Sequence, residues 1–217
     1  MLKKPLFKSK SIMPVYTPTE EFLNALSHGI GALLALWGII ILMAKNYCDK
    51  NSLPGILIYG ITLFALYSVS SIYHALPSGK LKSIFRKFDH CSIFLLIAGT
   101  YTPLCINYIT ETAGKIVLLT VWAVAIIGIT LNLIDVNKFS KVSMACYLIM
   151  GWSIVFISKS AMRCLSYSHL KWLFIGGIFY SVGAILYVIG KKVKYIHFIW
   201  HLFVLIGSIC HYQVLLI

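Results

Sequence analysis

Two histidines stand four residues apart near the end of the chain, in the segment HFIWH that runs from His197 to His201. On a helix, residues at i and i+4 share one face and lie about one turn, roughly 6 Å, apart along the axis. This spacing lets one helix offer two imidazoles to a single metal ion. The surrounding segment is apolar enough to cross a bilayer, where an ionisable side chain is costly and indicates a functional site.

Two other segments carry side chains that suit the same chemistry. The segment YSVSSIYHALPSGK places Ser70 and His74 four residues apart, so they share a helix face. The segment RKFDHCSIFLL places Asp89 just before another apolar stretch. Catalytic zinc typically has three protein ligands and a water in the fourth position. The residues therefore predict a zinc site with His74, His197 and His201 as its ligands.

Asp89 and Ser70 suit the second part of this chemistry. A carboxylate beside a metal orients or deprotonates the bound water, or braces a ligand. A hydroxyl one turn before His74 can hydrogen-bond that water or a polarised carbonyl. Structural alternatives exist for both groups of residues: the histidine pair could snorkel to the membrane interface, and Asp89 could be the N-cap of its helix.

The elements that must hold these residues are membrane helices. The chain has 217 residues, is 59% hydrophobic and has a mean hydropathy of +0.87, which is too apolar for a soluble domain. Stretches long enough to cross about 30 Å of hydrocarbon as helices are Phe22–Met43, Leu53–Tyr73, Cys91–Ile109, Lys115–Ile134, Val142–Ile157, Trp172–Ile189 and Ile196–Ile217. We predict an all-α, polytopic bundle of seven transmembrane helices over residues 22–217, preceded by a cytoplasmic tail of residues 1–21.

The net charge of +13 comes from 19 basic and 6 acidic residues. In a soluble protein this excess would suggest a nucleic-acid partner, but in a membrane protein basic residues flank the spans and set their orientation. We therefore predict no nucleic-acid partner. Most of the Lys and Arg lie in the N-terminal tail and in the loops after the second, fourth and sixth spans. This distribution predicts a cytoplasmic N-terminus and an outer C-terminus.

The predicted topology brings the polar groups to one leaflet. The first, third and seventh spans begin there and the second ends there, so the histidines and Asp89 reach a similar depth. The fourth to sixth spans carry no internal acid, base or histidine. Two other histidines are near this level. We interpret His28, in the first span, as polar packing, and His90, beside Asp89, as interfacial surface.

At these residues the chain is similar to a known family. The segments EFLNALSHGIGA, SSIYHALPSGK, RKFDHCSIFLLIAGTYTP and HFIWHLFVLIGSICHY resemble the hemolysin III proteins of bacteria. These belong to the progestin and adipoQ receptor superfamily, which includes the adiponectin receptors. The resemblance implies seven transmembrane helices with the N-terminus inside, and a zinc ion near the cytoplasmic face. By motif, the ligand roles fall on His74, His197 and His201, and the supporting roles on Ser70 and Asp89.

The function predicted from the residues and the resemblance is that of a zinc-dependent hydrolase in the plasma membrane. Its substrate would be an acyl lipid with an amide-type bond, with Asp89 as general base and Ser70 assisting the oxyanion. Two alternatives stay open: a pore-forming or cytolytic protein, as the family name suggests, and a non-catalytic sensor in which zinc is a structural clamp. The sequence does not separate catalytic from structural zinc, because the ligand set is the same.

Overall fold

The structure is a computed structural model that describes residues 16–217, in which every regular element is helical. Seven helical segments of this part of the chain are long and apolar enough to cross a membrane, which confirms the predicted fold class. The predicted tail lies largely outside the described residues. The helices are α1 (Pro18–Lys45), α2 (Leu53–Ala75), α3 (Lys80–Pro103), α4 (Thr112–Asp135), α5 (Ser140–Gly151), α6 (Ser158–Cys164), α7 (Tyr167–Gly190) and α8 (Ile196–Leu216).

Helix α1 begins before the predicted span because the sequence supplies a complete start signal. Thr17 is the N-cap, and Pro18 occupies the first turn, where its missing N–H costs nothing. The Thr17 hydroxyl accepts from the Glu20 N–H at 3.3 Å, and the Glu20 carboxylate accepts from the Thr17 N–H at 2.9 Å. This capping box places Glu20 and Glu21 in the first turn of the helix.

Helix α3 begins at Lys80, well before the predicted start at Cys91, because polar partners hold its first turns against the bundle. Lys82 is buried and donates to the carbonyls of His74 at 3.3 Å and Leu76 at 2.8 Å. These are backbone acceptors that the end of α2 leaves without helical partners. Arg86 is also buried and donates to the side-chain oxygen of Asn137 at 2.8 Å.

The α-helix of the fifth span is interrupted, and a tyrosine of α3 hydrogen-bonds to backbone groups at the interruption. Helix α5 ends at Gly151, and a 3₁₀ turn over Ser153–Ile157 leads into α6. The Tyr101 hydroxyl donates to the Gly151 carbonyl and accepts from the Ile154 N–H, both at 2.9 Å. The two backbone groups freed by the break are therefore paired inside the bundle, as a membrane interior requires.

The helices pack as a ring in which α1 lies between α2 and α8, and α3 between α2 and α4. Small residues allow close approach: a Cβ at Gly99 of α3 would overlap the Thr62 side chain of α2. Large apolar side chains such as Trp37, Leu119 and Phe156 face outward, where lipid would cover them. We call the end of the bundle at which α1, α3 and α8 begin and α2 ends the site end.

Candidate metal centre

Three buried histidines meet at the site end. His74 comes from the last turn of α2, and His197 and His201 come from the first turns of α8. One ring nitrogen from each lies within 4.8 Å of the others. The Nε2 atoms of His74 and His197 are 3.3 Å apart. The structure thus brings together the three residues predicted as metal ligands.

The other ring nitrogen, Nδ1, is occupied in all three histidines. That of His74 lies 2.6 Å from a carboxylate oxygen of Glu21, and that of His197 lies 2.9 Å from the Tyr16 hydroxyl. That of His201 lies 3.2 Å from the Asn24 carbonyl, with the Ser27 hydroxyl 3.1 Å away.

These partners decide which nitrogen carries the hydrogen in two of the rings. A carboxylate and a backbone carbonyl can only accept, so His74 and His201 each carry the hydrogen on Nδ1. In the neutral form of each ring, Nε2 is then the nitrogen with the free lone pair. The Nε2 of His201 is buried and has no hydrogen-bond partner among the described residues. This pattern, in which one nitrogen is held by an outer acceptor and the other is bare, is typical of metal-ligating histidines.

The distances also fit a metal ion. Two imidazole nitrogens at about 2.0–2.1 Å from one tetrahedral ion lie about 3.3–3.4 Å apart, and the Nε2 atoms of His74 and His197 are 3.3 Å apart. Imidazole nitrogens are ligands that suit zinc, copper, iron or nickel, and all three rings are buried. The three residues could therefore hold a metal ion.

A lysine completes the outer support of His74. Glu21 uses its second oxygen to accept from the Lys82 ammonium at 2.9 Å. Lys82 in turn holds the carbonyl of His74 itself. The carboxylate thus lies between a lysine ammonium and an imidazole, an arrangement that orients His74.

The hydroxyl beside His197 is a neutral phenol. Burial raises the pKa of Tyr16 well above its ordinary value, so this residue stays protonated at physiological pH. Its ring also lies against the His197 ring, with the ring centroids 4.6 Å apart. Tyr16 therefore contacts a candidate ligand through both its polar and its apolar part.

The two residues predicted to assist the chemistry lie beside the histidines. Both Ser70 and Asp89 are buried. The Asp89 carboxylate faces the Ser70 hydroxyl and lies within electrostatic reach of His74, although the Ser70 Oγ makes no hydrogen bond of ordinary geometry with the described residues. The alternative in which Asp89 is an N-cap is wrong, because Gly79 occupies that position of α3.

Two more histidines are near the centre but do not join the ligand set. The His28 ring is stacked on the His201 ring, with the ring centroids 3.6 Å apart and the planes at 10°. An ion in the plane of His201 therefore lies well outside the plane of His28, which cannot share it. His90 is buried and lines an internal cavity. Its interpretation as interfacial surface is wrong, because α3 is enclosed by neighbouring helices on several sides.

An internal cavity of about 140 Å³ begins beside the centre, where His28 and Asp89 line it. It extends between α3, the fifth span and α7 toward His211 in the other half of the membrane. A second cavity of about 490 Å³ adjoins it and shares the lining residues Trp152 and His211. Together they form an elongated space that runs away from the site end and reaches the surface of the bundle at the exposed residues Met162 and Tyr167.

Three of the hydroxyl side chains along this space donate to backbone carbonyls. The hydroxyl of Tyr147 donates to the His90 carbonyl, that of Ser181 to the Gly177 carbonyl, and that of Thr100 to the Leu96 carbonyl. Their hydrogen-bonding capacity is directed into the backbone, so the wall presents mainly carbon. Such a wall suits an apolar ligand.

Fold and site together define a seven-transmembrane-helix protein with a buried three-histidine centre at one end of the bundle. The model of a family described as "Haemolysin-III related" matches residues 16–212. The chain belongs to this family, within the progestin and adipoQ receptor superfamily, which confirms the resemblance in the sequence.

Individual relatives support this membership over most of the chain. The chain is 40% identical over 191 residues to Hemolysin-3 of Bacillus cereus, covering 87% of each protein. It is 39% identical over 196 residues to the Hemolysin-3 homolog of Bacillus subtilis, covering 89% of this chain and 92% of that protein. A more distant relative is the Adiponectin receptor protein of Drosophila melanogaster, 24% identical over 238 residues, which are 96% of this chain and 52% of the receptor.

The sequence prediction missed the outer support of the histidines. Glu21, Asn24 and Ser27 lie in the first turns of α1, but the sequence does not show that they contact the histidines. Lys82 is among the loop charges that the sequence interpretation assigns to membrane topology. The signal that could have found them is the spacing of polar side chains along one face of α1. Tyr16 gave no such signal, because its contact with His197 depends on how the chain enters the bundle.

Proposed function

We propose that the protein is a zinc-dependent hydrolase of acyl lipids with an amide-type bond. The observation that carries this proposal is the convergence of one ring nitrogen from each of three buried histidines near Asp89, which lines an apolar cavity. With the N-terminus in the cytoplasm, the site end would lie at the inner leaflet of the plasma membrane. A lipid could then place its polar linkage at the histidines and its chain in the cavity.

Asp89 and Ser70 have the properties that this reaction needs. Asp89 is a buried carboxylate that lines the cavity and lies near His74. It can accept a proton from an attacking water and return it to the leaving nitrogen. Ser70 has a buried hydroxyl that makes no hydrogen bond of ordinary geometry with the described residues, so it is available to donate to the oxygen on which negative charge develops.

His74, His197 and His201 would hold the ion. Zinc, when bound, supplies the Lewis acidity that activates water and polarises a carbonyl. The chain's own contribution is orientation: Glu21, Tyr16 and the Asn24 carbonyl hold the three rings by their Nδ1 atoms.

The name Hemolysin-3 of the bacterial relatives suggests a second candidate function, pore formation. The largely apolar lining of the space beyond Asp89 and His28 favours the hydrolase instead, since it suits a lipid chain better than water or ions. A dye-release assay on liposomes separates the two. Release that persists in His74→Ala and His201→Ala would favour a pore.

The first experiment measures metal content by elemental analysis on protein purified in detergent without chelators. We expect about one zinc per chain in the wild type, and its loss in the His197→Ala/His201→Ala double variant. The matched control is His169→Ala, because this histidine lies at the start of α7, away from the centre. Metal-free wild-type protein would overturn the proposal.

A second experiment separates catalytic from structural zinc. Zinc-loaded protein is incubated with a panel of ceramide-type and other acyl lipids, and the released fatty acid is measured by mass spectrometry. We expect turnover in the wild type, and a large loss in Asp89→Asn with its zinc retained. Zinc-loaded wild-type protein that hydrolyses no lipid of the panel would refute the hydrolase and leave the metal as a clamp between α2 and α8.

A further inference from the structure

Among the described residues, Tyr16, two positions before α1, contacts the candidate metal centre at the site end. Its hydroxyl lies 2.9 Å from His197 Nδ1. Its ring centroid lies 4.6 Å from that of His197 and 5.8 Å from that of His74. One side chain from the segment before the first helix thus contacts two of the three candidate ligands, which belong to α2 and α8.

Tyr16 is held in this place by the start of α1. Thr17 and Glu20 form the capping box that fixes the chain entering the helix. The other oxygen of Glu20 accepts from the Tyr195 N–H at 2.7 Å. Tyr195 has a left-handed backbone with φ 63° and is the N-cap of α8, two residues before His197. The entry to α1 and the entry to α8 are therefore tied together around the contact.

The hydroxyl can serve His197 both with and without a metal. Without one, Tyr16 can donate to Nδ1, and the His197 Nε2–H can then donate to the bare Nε2 of His74, 3.3 Å away. With a metal on Nε2, the ring hydrogen moves to Nδ1, and the Tyr16 oxygen becomes the acceptor. A tyrosine hydroxyl can do both, because it is donor and acceptor. A phenylalanine ring can do neither.

We propose that Tyr16 is a positioning residue for the metal centre with two separable actions. Its hydroxyl holds the His197 ring in place through Nδ1, whichever ring nitrogen carries the hydrogen, and its ring shields the centre from water and chelators at the site end. This inference rests on the metal site of the proposed function, but not on hydrolysis, and it links the segment before α1 to the occupancy of the centre.

Two variants separate the actions. Tyr16→Phe removes the hydroxyl and keeps the ring, whereas Tyr16→Leu removes both. The matched control is Tyr195→Phe, since Tyr195 has an exposed side chain at the same end of the bundle and contributes only its backbone to the network. Affinity is measured by competition between the protein and a chelator for zinc. Exchange is measured as the rate at which excess chelator strips zinc from loaded protein.

We expect Tyr16→Phe to lower zinc affinity by about 10–100-fold, the usual effect of losing an outer partner of a ligating histidine. The phenylalanine ring of Tyr16→Phe still shields the centre, whereas Tyr16→Leu has no ring. We therefore expect Tyr16→Leu to lose zinc markedly faster than Tyr16→Phe. The visible absorption of the cobalt-loaded protein should shift in Tyr16→Phe, which reports the ligand geometry directly. Thermal melting of the metal-free forms verifies that the variants fold.

The outcomes are distinct from those of the proposed function. Wild-type protein that binds zinc, with Tyr16→Phe equal to it in affinity and cobalt spectrum, would overturn the role of the hydroxyl. Equal stripping rates for Tyr16→Phe and Tyr16→Leu would overturn the role of the ring. Wild-type protein that binds neither zinc nor cobalt would overturn both this inference and the metal site. Zinc binding without lipid turnover would refute only the hydrolase and leave the role of Tyr16 to be decided by the affinities.

Discussion

The Glu21 carboxylate is the outer partner for which the structure makes the sharpest prediction. Its oxygens lie 2.6 Å from His74 Nδ1 and 2.9 Å from the Lys82 ammonium. Both neighbours are donors when His74 binds a metal through Nε2. A glutamine has nearly the same shape but only one acceptor oxygen, so in Glu21→Gln one of these donors must face the amide NH₂, which is itself a donor.

Either orientation of the glutamine weakens metal binding. If the NH₂ faces His74, the ring is driven to carry its hydrogen on Nε2 and loses the lone pair that binds the ion. If the NH₂ faces Lys82, a cation whose side chain is only 7% exposed loses its counter-charge. Loss of such an outer partner lowers metal affinity by about 10–100-fold, which is about 1.4–2.8 kcal/mol. We expect a decrease of this size in Glu21→Gln.

The assay is zinc competition with a chelator on detergent-purified protein. Glu111→Gln is the matched control, because Glu111 pairs with Arg163 at 2.9 Å in an exposed position, away from the centre, where such a pair contributes little. The melting temperature of the metal-free protein should stay close to that of the wild type, since Lys82 keeps its bonds to the carbonyls of His74 and Leu76. Affinity of Glu21→Gln within about twofold of wild type would refute the reasoning.

Three further predictions concern other parts of the bundle. His28→Phe should keep the wild-type metal content in elemental analysis, because the stacked ring of His28 cannot reach an ion in the plane of His201. Gly99→Ala should lower the unfolding free energy by about 1–3 kcal/mol in detergent titrations, because its Cβ would overlap Thr62. Tyr101→Phe should speed hydrogen exchange at the Ile154 N–H, since this half-buried amide loses its acceptor at a cost of up to about 1–3 kcal/mol.

Each of these predictions has a contrary result, and two have a matched control. For His28, a loss of zinc in the phenylalanine variant would show that it is a ligand. For Gly99, the control is Gly151→Ala, where a Cβ meets nothing within 4 Å; equal melting of the two variants would contradict the close packing of α2 and α3. For Tyr101, the control is Tyr167→Phe, an exposed position, and unchanged exchange at the fifth span would contradict the bridging hydroxyl.

The sequence located the seven spans but placed the starts of α1, α3 and α7 too late, the last at Trp172 where the helix begins at Tyr167. The predicted spans begin where the hydrophobic run begins, at Phe22 and Cys91. The helices begin earlier, at Pro18 and Lys80, because the capping box and the buried bonds of Lys82 extend them beyond the apolar stretch. Hydropathy detects burial in hydrocarbon, and it does not detect helical turns held by polar partners at the membrane boundary.

The placement of α3 explains the two local errors. Asp89 was weighed as a helix cap and His90 was assigned to the surface because the predicted span started just after them. In the structure both lie inside a helix that began earlier and is enclosed by its neighbours, so both are buried and line the cavity. Burial on several faces of one helix depends on which helices surround it, and the local sequence pattern does not predict those neighbours.

By itself, the sequence determined the all-α fold, the seven spans and the family. Hydrophobic length dictates membrane helices because an unpaired backbone cannot enter hydrocarbon, and the spacing of His197 and His201 places them on one helix face. The tertiary structure alone decided that the Nδ1 atoms are held by Glu21, Tyr16 and the Asn24 carbonyl, which leaves the Nε2 atoms of His74 and His201 bare. These contacts join residues far apart in the chain, so their geometry is set by how α1, α2 and α8 pack.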